Sequence, residues 1–167
     1  MSYDKNYSSW KNDPISFWEE KAKNIDWFKP WEKTLEEKES SSWSWFTGGS
    51  LNTCYNCIDR HIKRGKGDKV AIIFDSPITN YKNKITYNEL YLKVSSLAAS
   101  LENQGVTKGD RVILYMPMIP EVIVSMLACA RIGAIHSVVF GGFASNELAS
   151  RIEDVSPKVI ISASCGL

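Results

Sequence analysis

An excess of charge of one sign is the first thing this 167-residue sequence lacks. Its 20 Lys and Arg against 19 Asp and Glu leave a formal net charge of +1. Cut at Gly67, the front carries 11 basic and 10 acidic residues and the rest carries 9 of each. Neither part offers the basic face that binding to nucleic acid or an anionic membrane surface needs, so no nucleic-acid and no membrane partner is expected. Long apolar runs are also missing. Stretches such as "VIVSMLACA" from Val122 to Ala130 reach only about half the length of a bilayer crossing. The opening "MSYDKNYSSWKNDP" has no apolar core of signal-peptide length, and Asp4 and Asp13 disfavour an import presequence. A soluble intracellular chain is expected, in the cytoplasm in preference to the mitochondrial matrix. Its cysteines, Cys54, Cys57, Cys129 and Cys165, are then free thiols.

Tryptophan is absent after residue 45: Trp10, Trp18, Trp27, Trp31, Trp43 and Trp45 are the whole set, and the remainder turns to Val, Ile, Ala and Gly. That shift divides the chain into a lead-in over residues 1–50 and a regular region over 51–167. In the lead-in, "DPISFWEEKAK" places Asp13 as an N-cap and Pro14 at the first helical position, with Phe17, Trp18 and Ala22 on one side. From Ile25 to Asn52 no period is sustained, and Pro30, the serine cluster and Gly48-Gly49 break the pattern. An extended segment whose tryptophans need a larger body is expected there.

The regular region predicts an α/β fold. Asn52 begins a helix to about Arg64, "KVAIIFD" from Lys69 is a strand, and Thr86 and Glu89 stand at capping-box spacing for a helix ended by Gly105. "DRVILYM" is the next strand, Pro120 to Gly133 bounds the next helix, and "IHSVVF" follows as a strand. Ser145 caps a helix that Pro157 stops, and "KVIIS" makes a fourth strand. Apolar strands joined by helices indicate parallel βαβ units with helices on both faces. A sheet that stops as this strand finishes is expected to be the first part of a larger domain.

Several residues invite a chemical reading. Cys54, Cys57 and His61 form C-x2-C-x3-H, yet on a helix they make one stripe with Ile58, and the other histidine, His136, lies on a distant strand; a buried helix face is expected, and no metal site. "RGKGDK" has neither the Walker spacing nor the third glycine of a dinucleotide fingerprint and reads as a turn. Asp110-Arg111 reads as turn chemistry at a strand edge, and Glu153-Asp154 as a solvated helix face. His136 reads as a hydrogen-bonded core residue. "FGGF", Phe140 to Phe143, differs by position: it follows a strand and precedes a helix, on the usual ligand side of an open α/β sheet. Glycines there either let a ligand approach the backbone or supply a turn with positive φ, and the pattern leaves both readings open.

"YNCIDRH" (Tyr55 to His61), "YMPMIPE" (Tyr115 to Glu121), "MLACARIGAIHSVVFGGF" (Met126 to Phe143) and "RIEDVSPKVIISASCG" (Arg151 to Gly166) closely resemble the N-terminal region of short-chain acyl-CoA synthetases, the acetyl-CoA and propionyl-CoA synthetase group of the adenylate-forming superfamily. "FWEEKAKNIDWFKPW" resembles that group's N-terminal segment. In acetyl-CoA synthetases an acidic "AD-E-G"-like sequence follows the last strand, whereas "SASCG" from Ser162 to Gly166 looks like the propionyl branch.

The resemblance implies joining of acetate or propionate to ATP as an acyl-adenylate with Mg2+, then transfer to the thiol of CoA. It also implies a glycine/threonine/serine-rich triphosphate loop, a ribose-binding aspartate, a mobile lysine and CoA-binding arginines, none of which is among these residues. The chain is therefore expected to be an incomplete enzyme, inactive alone and holding no cofactor by itself. A non-catalytic module that binds CoA or associates with a full-length synthetase is the alternative. The resemblance places Phe140, Gly141, Gly142 and Phe143 beside the channel of the CoA pantetheine. Gly141 and Gly142 are thus the candidate cofactor-binding residues, Gly142 foremost, with no catalytic residue and with Arg151 structural.

Overall fold

The computed structural model describes residues 2–38, 42–142 and 144–164. They form two compact units, Met1–Asn52 and Thr53–Leu167.

The first unit begins with α1 (Tyr3–Asn12), a helix the sequence pattern had not supplied. Its signals are modest. Ser2 is the N-cap, and Tyr3, Tyr7 and Trp10 fall at i, i+4 and i+7, where their rings lie in sequence at 6.0 and 5.8 Å. In α2 (Pro14–Ala22) the expected cap is present: Asp13 Oδ1 accepts from the Ser16 amide at 3.0 Å, and Pro14 opens the helix.

The segment expected to be extended without pattern is instead a hairpin. Strands β1 (Lys33–Lys38) and β2 (Ser42–Thr47) pair antiparallel, Leu35 opposite Trp45 and Glu37 opposite Trp43. The charged "KTLEEK" hides β1, because its strand conformation comes from pairing rather than from its own propensity. Trp27 and Trp31 find partners inside the unit, while Trp10, Trp18, Trp43 and Trp45 stay 40–56% exposed. Trp27, Trp31 and Phe46 form a triangle with ring centroids 5.0 to 5.5 Å apart, and the two indole N–H groups donate to the Ala22 carbonyl and to Thr34 Oγ1.

The second unit opens with a helical stretch from residue 53 that contains a π-helical turn, Tyr55–Asp59, and is broken by a kink at Arg64 and Gly65, where the sequence pattern expects the helix to end. Next comes β3 (Val70–Ser76), which corrects the expectation of four parallel strands. It pairs antiparallel with β4 (Tyr81–Thr86), a strand its polar sequence had concealed. Only four residues join the two, far short of the dozen that a parallel crossover needs. Thr86 and Glu89 close the expected capping box at the start of α3 (Tyr87–Asn103), with the Glu89 amide donating to Thr86 Oγ1 at 3.2 Å and the Thr86 amide to Glu89 Oε2 at 2.7 Å.

The parallel sheet consists of β5 (Arg111–Met116), β6 (Ile135–Phe140) and β7 (Val159–Ser162) in the order β6-β5-β7. Helix α4 (Pro120–Ile132) joins β5 to β6, with Pro120 at its start and Gly133 in the left-handed conformation at its end. Helix α5 (Ser145–Val155) joins β6 to β7. Ser145 is its first helical residue rather than its cap; Ala144 holds the cap position and contributes no side-chain hydrogen bond.

The two crossovers run in opposite directions along the sheet, so right-handed connections put α4 and α5 on opposite faces. Val112 and Leu114 join Val94, Ala98, Ala128 and Cys129 in one core, while Ile113, equally buried, points the other way.

Three polar contacts fix the edges. Arg131 on α4 makes a two-pronged pair with Asp59 at 2.8 and 3.2 Å. Arg111 donates to the carbonyls of Val155 and Ser156 at 3.0 Å, capping the end of α5, where the exposed Glu153 and Asp154 are unfavourable to the helix dipole. Asp110 accepts from the Thr107 amide at 2.7 Å and its hydroxyl at 2.9 Å, and Lys158 lies 3.2 Å away. The Thr107 amide, then its hydroxyl and Lys158, hold the Asp110 carboxyl down at about 2. Asp110-Arg111 is the turn and strand edge that its sequence suggests.

Arg131→Ala leaves the Asp59 carboxylate half-buried without its guanidinium and is expected to destabilise the protein by roughly 2 kcal/mol, read as a lower urea midpoint at unchanged slope. Asp110 has a folded-state pKa below its unfolded value, so its contribution is complete above the ordinary aspartate range and disappears as pH falls through about 2. The stability gap between wild type and Asp110→Asn should therefore be widest near neutrality and should narrow on acidification from about pH 4 downward.

Candidate functional site

Strands β5, β6 and β7 all present their carboxyl ends on one side of the sheet. A cleft of about 500 Å3 opens there. One wall is Pro117–Met118–Ile119, the lip between β5 and α4; the second is the end of β3 and its turn, from Phe74 to Thr79; Ala163 and Ser164 after β7 complete it. Met118 and Ile78 are largely exposed, at 76% and 77%. The surface is mainly apolar, and the one carboxylate among its described lining residues, Asp75, is ion-paired to Lys82 at 2.7 Å.

Gly141 and Gly142 follow β6 on this same side, but they differ in what holds them. A Cβ on Gly141 would lie 2.9 Å from the Met116 carbonyl carbon, 3.0 Å from its oxygen and 3.1 Å from Pro117 N. These are backbone atoms at the end of the central strand, and they cannot swing aside. A Cβ on Gly142 would meet the ring of Phe140 at 2.8 Å, and that ring belongs to a 57% exposed side chain able to turn away. Neither glycine has positive φ, although five other described glycines do. The reading of this turn as a positive-φ device is thus corrected: close approach of two strand ends is what requires a glycine here. Phe143 lies outside the described residues.

The other candidates stand apart from the cleft. His136 is at the amino end of β6, opposite Val112, roughly 16 Å along the strand from Gly141. It is half-buried, and burial holds its pKa below the usual imidazole value. Cys54 and Ile58 are fully buried, but Cys57 is exposed, so the expected single stripe is broken where the helix widens into its π turn. His61 lies against the Tyr87 ring at 5.1 Å. Burial pushes the thiols of Cys54 and Cys129 up to about 11, where they stay protonated and unreactive. "RGKGDK" is a turn held to the start of α3, with Asn88 donating to Asp68 Oδ1 at 3.0 Å and to the Gly67 carbonyl at 3.0 Å. Arg151 is exposed on α5.

Sequence reasoning singled out the turn after β6, whose Gly141 and Gly142 are not among the residues that line the cleft, and missed the lip and the β3 turn that do line it. The Pro117 to Pro120 spacing in "YMPMIPE" is the signal that could have found the lip, since two prolines bracket a short irregular connection directly after a buried strand. Of "SASCG", Ser162 ends β7 and Ala163 and Ser164 line the cleft, whereas Cys165 and Gly166 lie outside the described residues.

Two family models match the chain end to end: the AMP-binding enzyme model over residues 58–166 and the acetyl-coenzyme A synthetase N-terminus model over residues 3–57. The acyl-CoA synthetase short-chain family member 3, mitochondrial, of Pongo abelii is 57% identical over 165 residues, 99% of this chain and 24% of its own length. The Homo sapiens protein of the same name is 56% identical over the same shares. An acetyl-coenzyme A synthetase of Xanthobacter autotrophicus is 49% identical over 99% of this chain and 26% of its own length. The chain thus spans about a quarter of the length of the curated relatives it matches.

The glycine geometry generates a paired expectation. Gly141→Ala should cost roughly 1–3 kcal/mol through overpacking against the backbone. Gly142→Ala, relieved by rotation of Phe140, should cost less than about 0.5 kcal/mol. Thermal melts of the two variants side by side would show the difference, and equal melting temperatures would contradict it.

Proposed function

The chain belongs to the AMP-binding enzyme family, and from that premise we propose that it serves as the N-terminal portion of an ATP-dependent short-chain acyl-CoA synthetase. The reaction is activation of a short carboxylate by ATP to an acyl-adenylate and pyrophosphate, followed by attack of the CoA thiol to give acyl-CoA and AMP. ATP, Mg2+ and CoA are the cofactors and cosubstrates of that chemistry. The observation that carries the reading is the glycine turn at the carboxyl end of β6, beside an apolar cleft, in a chain whose relatives bear synthetase names over 99% of its length.

Within this reading these residues supply shape rather than reacting groups. Gly141 and Gly142 border the path of the CoA pantetheine, where a side chain would narrow it. Propionate is the proposed acyl substrate ahead of acetate, supported by the Ser162 to Gly166 sequence, part of which reaches the cleft. Residues 1–167 alone are proposed to be inactive, because none of the triphosphate-loop, ribose or lysine motifs of the chemistry is among them. The cytoplasm is the proposed compartment, with the mitochondrial matrix as the alternative that the names of two relatives raise.

A second reading, a non-catalytic module that binds CoA or associates with a full-length synthetase, is favoured by the outer strand β6, where Ile135, Val138 and Phe140 are each at least 50% exposed.

Carboxylate-dependent ATP–pyrophosphate exchange tests both readings. The whole polypeptide that carries these residues should exchange with propionate at a higher kcat/KM than with acetate, and purified residues 1–167 should show no exchange. Exchange by residues 1–167 alone would sink the inactivity proposal. No exchange by the whole polypeptide, with CoA retained in equilibrium dialysis, would move the conclusion to the second reading.

A further inference from the structure

Two thiols three residues apart in the sequence have opposite surroundings. Cys54 is fully buried and belongs to the core with Ile58, Leu90, Val94 and Cys129, whereas Cys57 is exposed. A regular α-helix sets residues i and i+3 on one side, with Cβ atoms about 5–6 Å apart. The π turn Tyr55–Asp59 is wider and carries Cys57 round toward solvent. That turn ends on Asp59, whose carboxylate accepts two hydrogen bonds from Arg131 at 2.8 and 3.2 Å. The same guanidinium donates to the Cys54 sulfur and lies 5.1 Å from the centre of the Tyr91 ring. One cation on α4 thus holds both ends of the turn, and Tyr91 extends the contact to α3.

We propose that Cys54 and Cys57 form a redox switch in this helix: hydrogen peroxide oxidises the exposed thiol, the buried one closes a disulfide with it, and closure rewinds the π turn and draws Asp59 away from Arg131. In the first step the Cys57 sulfur attacks the O–O bond of the peroxide, giving a sulfenic acid and water. In the second the Cys54 sulfur attacks the Cys57 sulfur, and the departing hydroxide takes up the Cys54 proton as water. Two thiols and one hydrogen peroxide become one disulfide and two waters. The order follows from burial, which keeps Cys54 protonated and away from a solution oxidant until a sulfenic acid stands beside it. Arg131 then stabilises the negative charge that develops on the Cys54 sulfur as its proton leaves. The rewinding follows from distance, because a disulfide needs Cβ atoms about 3.5–4.5 Å apart, closer than helical i, i+3 neighbours stand. Tightening the turn rotates what lies beyond Cys57 relative to Cys54, and Asp59, two residues on and tied to another helix, is pulled free. The switch is independent of the synthetase reading.

The test treats the whole polypeptide with hydrogen peroxide, assigns its cysteines by peptide mass after alkylation under denaturing conditions, and follows amide hydrogen exchange across the turn. The expected product is a peptide carrying a Cys54–Cys57 disulfide, with exchange there about tenfold faster than in the thiol form and restored by dithiothreitol. Cys57→Ser, a change at an exposed position, should abolish both the disulfide and the faster exchange. Asp59→Asn weakens the Arg131 pair beforehand, so its exchange should respond to the disulfide by less than about twofold. Oxidation that stops at the acids of Cys57 with Cys54 still open to alkylation, or a bond from Cys57 to Cys129 or Cys165 instead, would overturn the inference. So would an unreacted Cys57, a Cys54–Cys57 disulfide with exchange unchanged, or a full tenfold response in Asp59→Asn.

Discussion

Burial of β5 on both faces is the constraint from which the second unit is built. Val112, Ile113 and Leu114 are fully buried in consecutive positions, which a strand permits only when both sheet faces are covered and neighbours lie on either side. The order β6-β5-β7 meets both demands, and the opposed crossovers place one helix on each face. Because β5 is held from every direction, the place where its chain leaves the sheet is fixed. That exit, Met116 to Pro117, is where the cleft begins and where Gly141 is pressed.

Polar groups reinforce the same strand from its other end. Asp110 turns the chain into β5, Arg111 ties that start to the end of α5, and Lys158, bonded to Asp110 and the Gly105 carbonyl, sets the start of β7 beside it. Charged residues are therefore concentrated where the strands begin. At the carboxyl ends the cleft is lined mainly by apolar residues such as Phe74, Pro117, Met118 and Ile119, with Asp75 paired to Lys82.

Much of this was legible in the sequence, and for definable reasons. Capping residues act locally, so Asp13-Pro14, Thr86 with Glu89, and Pro120 with Gly133 mark their helices correctly. Continuous apolar runs mark β5, β6 and β7, and in β5 burial on both faces removes any need for alternation, whereas β6 and β7 keep Ile135, Val138, Phe140 and Ile160 substantially exposed. Strands β1 and β4 were hidden because "KTLEEK" and "YKNKIT" owe their conformation to partners across a turn. Helix α1 was hidden because its stripe is aromatic and its length marginal. At the site, the position of the glycine turn was readable from strand-turn-helix order, but its reason was not. Positive φ is a property of one residue, whereas the contact of Gly141 with Met116 spans two strands and exists only in the fold.

The distribution of perturbed groups bears on what the cleft can contribute. Cys54 and Cys129 are buried thiols pushed up to about 11, His136 lies at the far end of its strand, and Asp110 is held at about 2 by its own turn. Each is shifted by a structural duty, burial or turn closure, and none lines the cleft. Asp75 does line it, already paired with Lys82. What the cleft itself offers is mainly apolar surface, from Phe74, Pro77 and Ile78 on one side and Pro117, Met118 and Ile119 on the other. The described residues that line the cleft therefore contribute shape and apolar surface, and its carboxylate is already engaged in an ion pair.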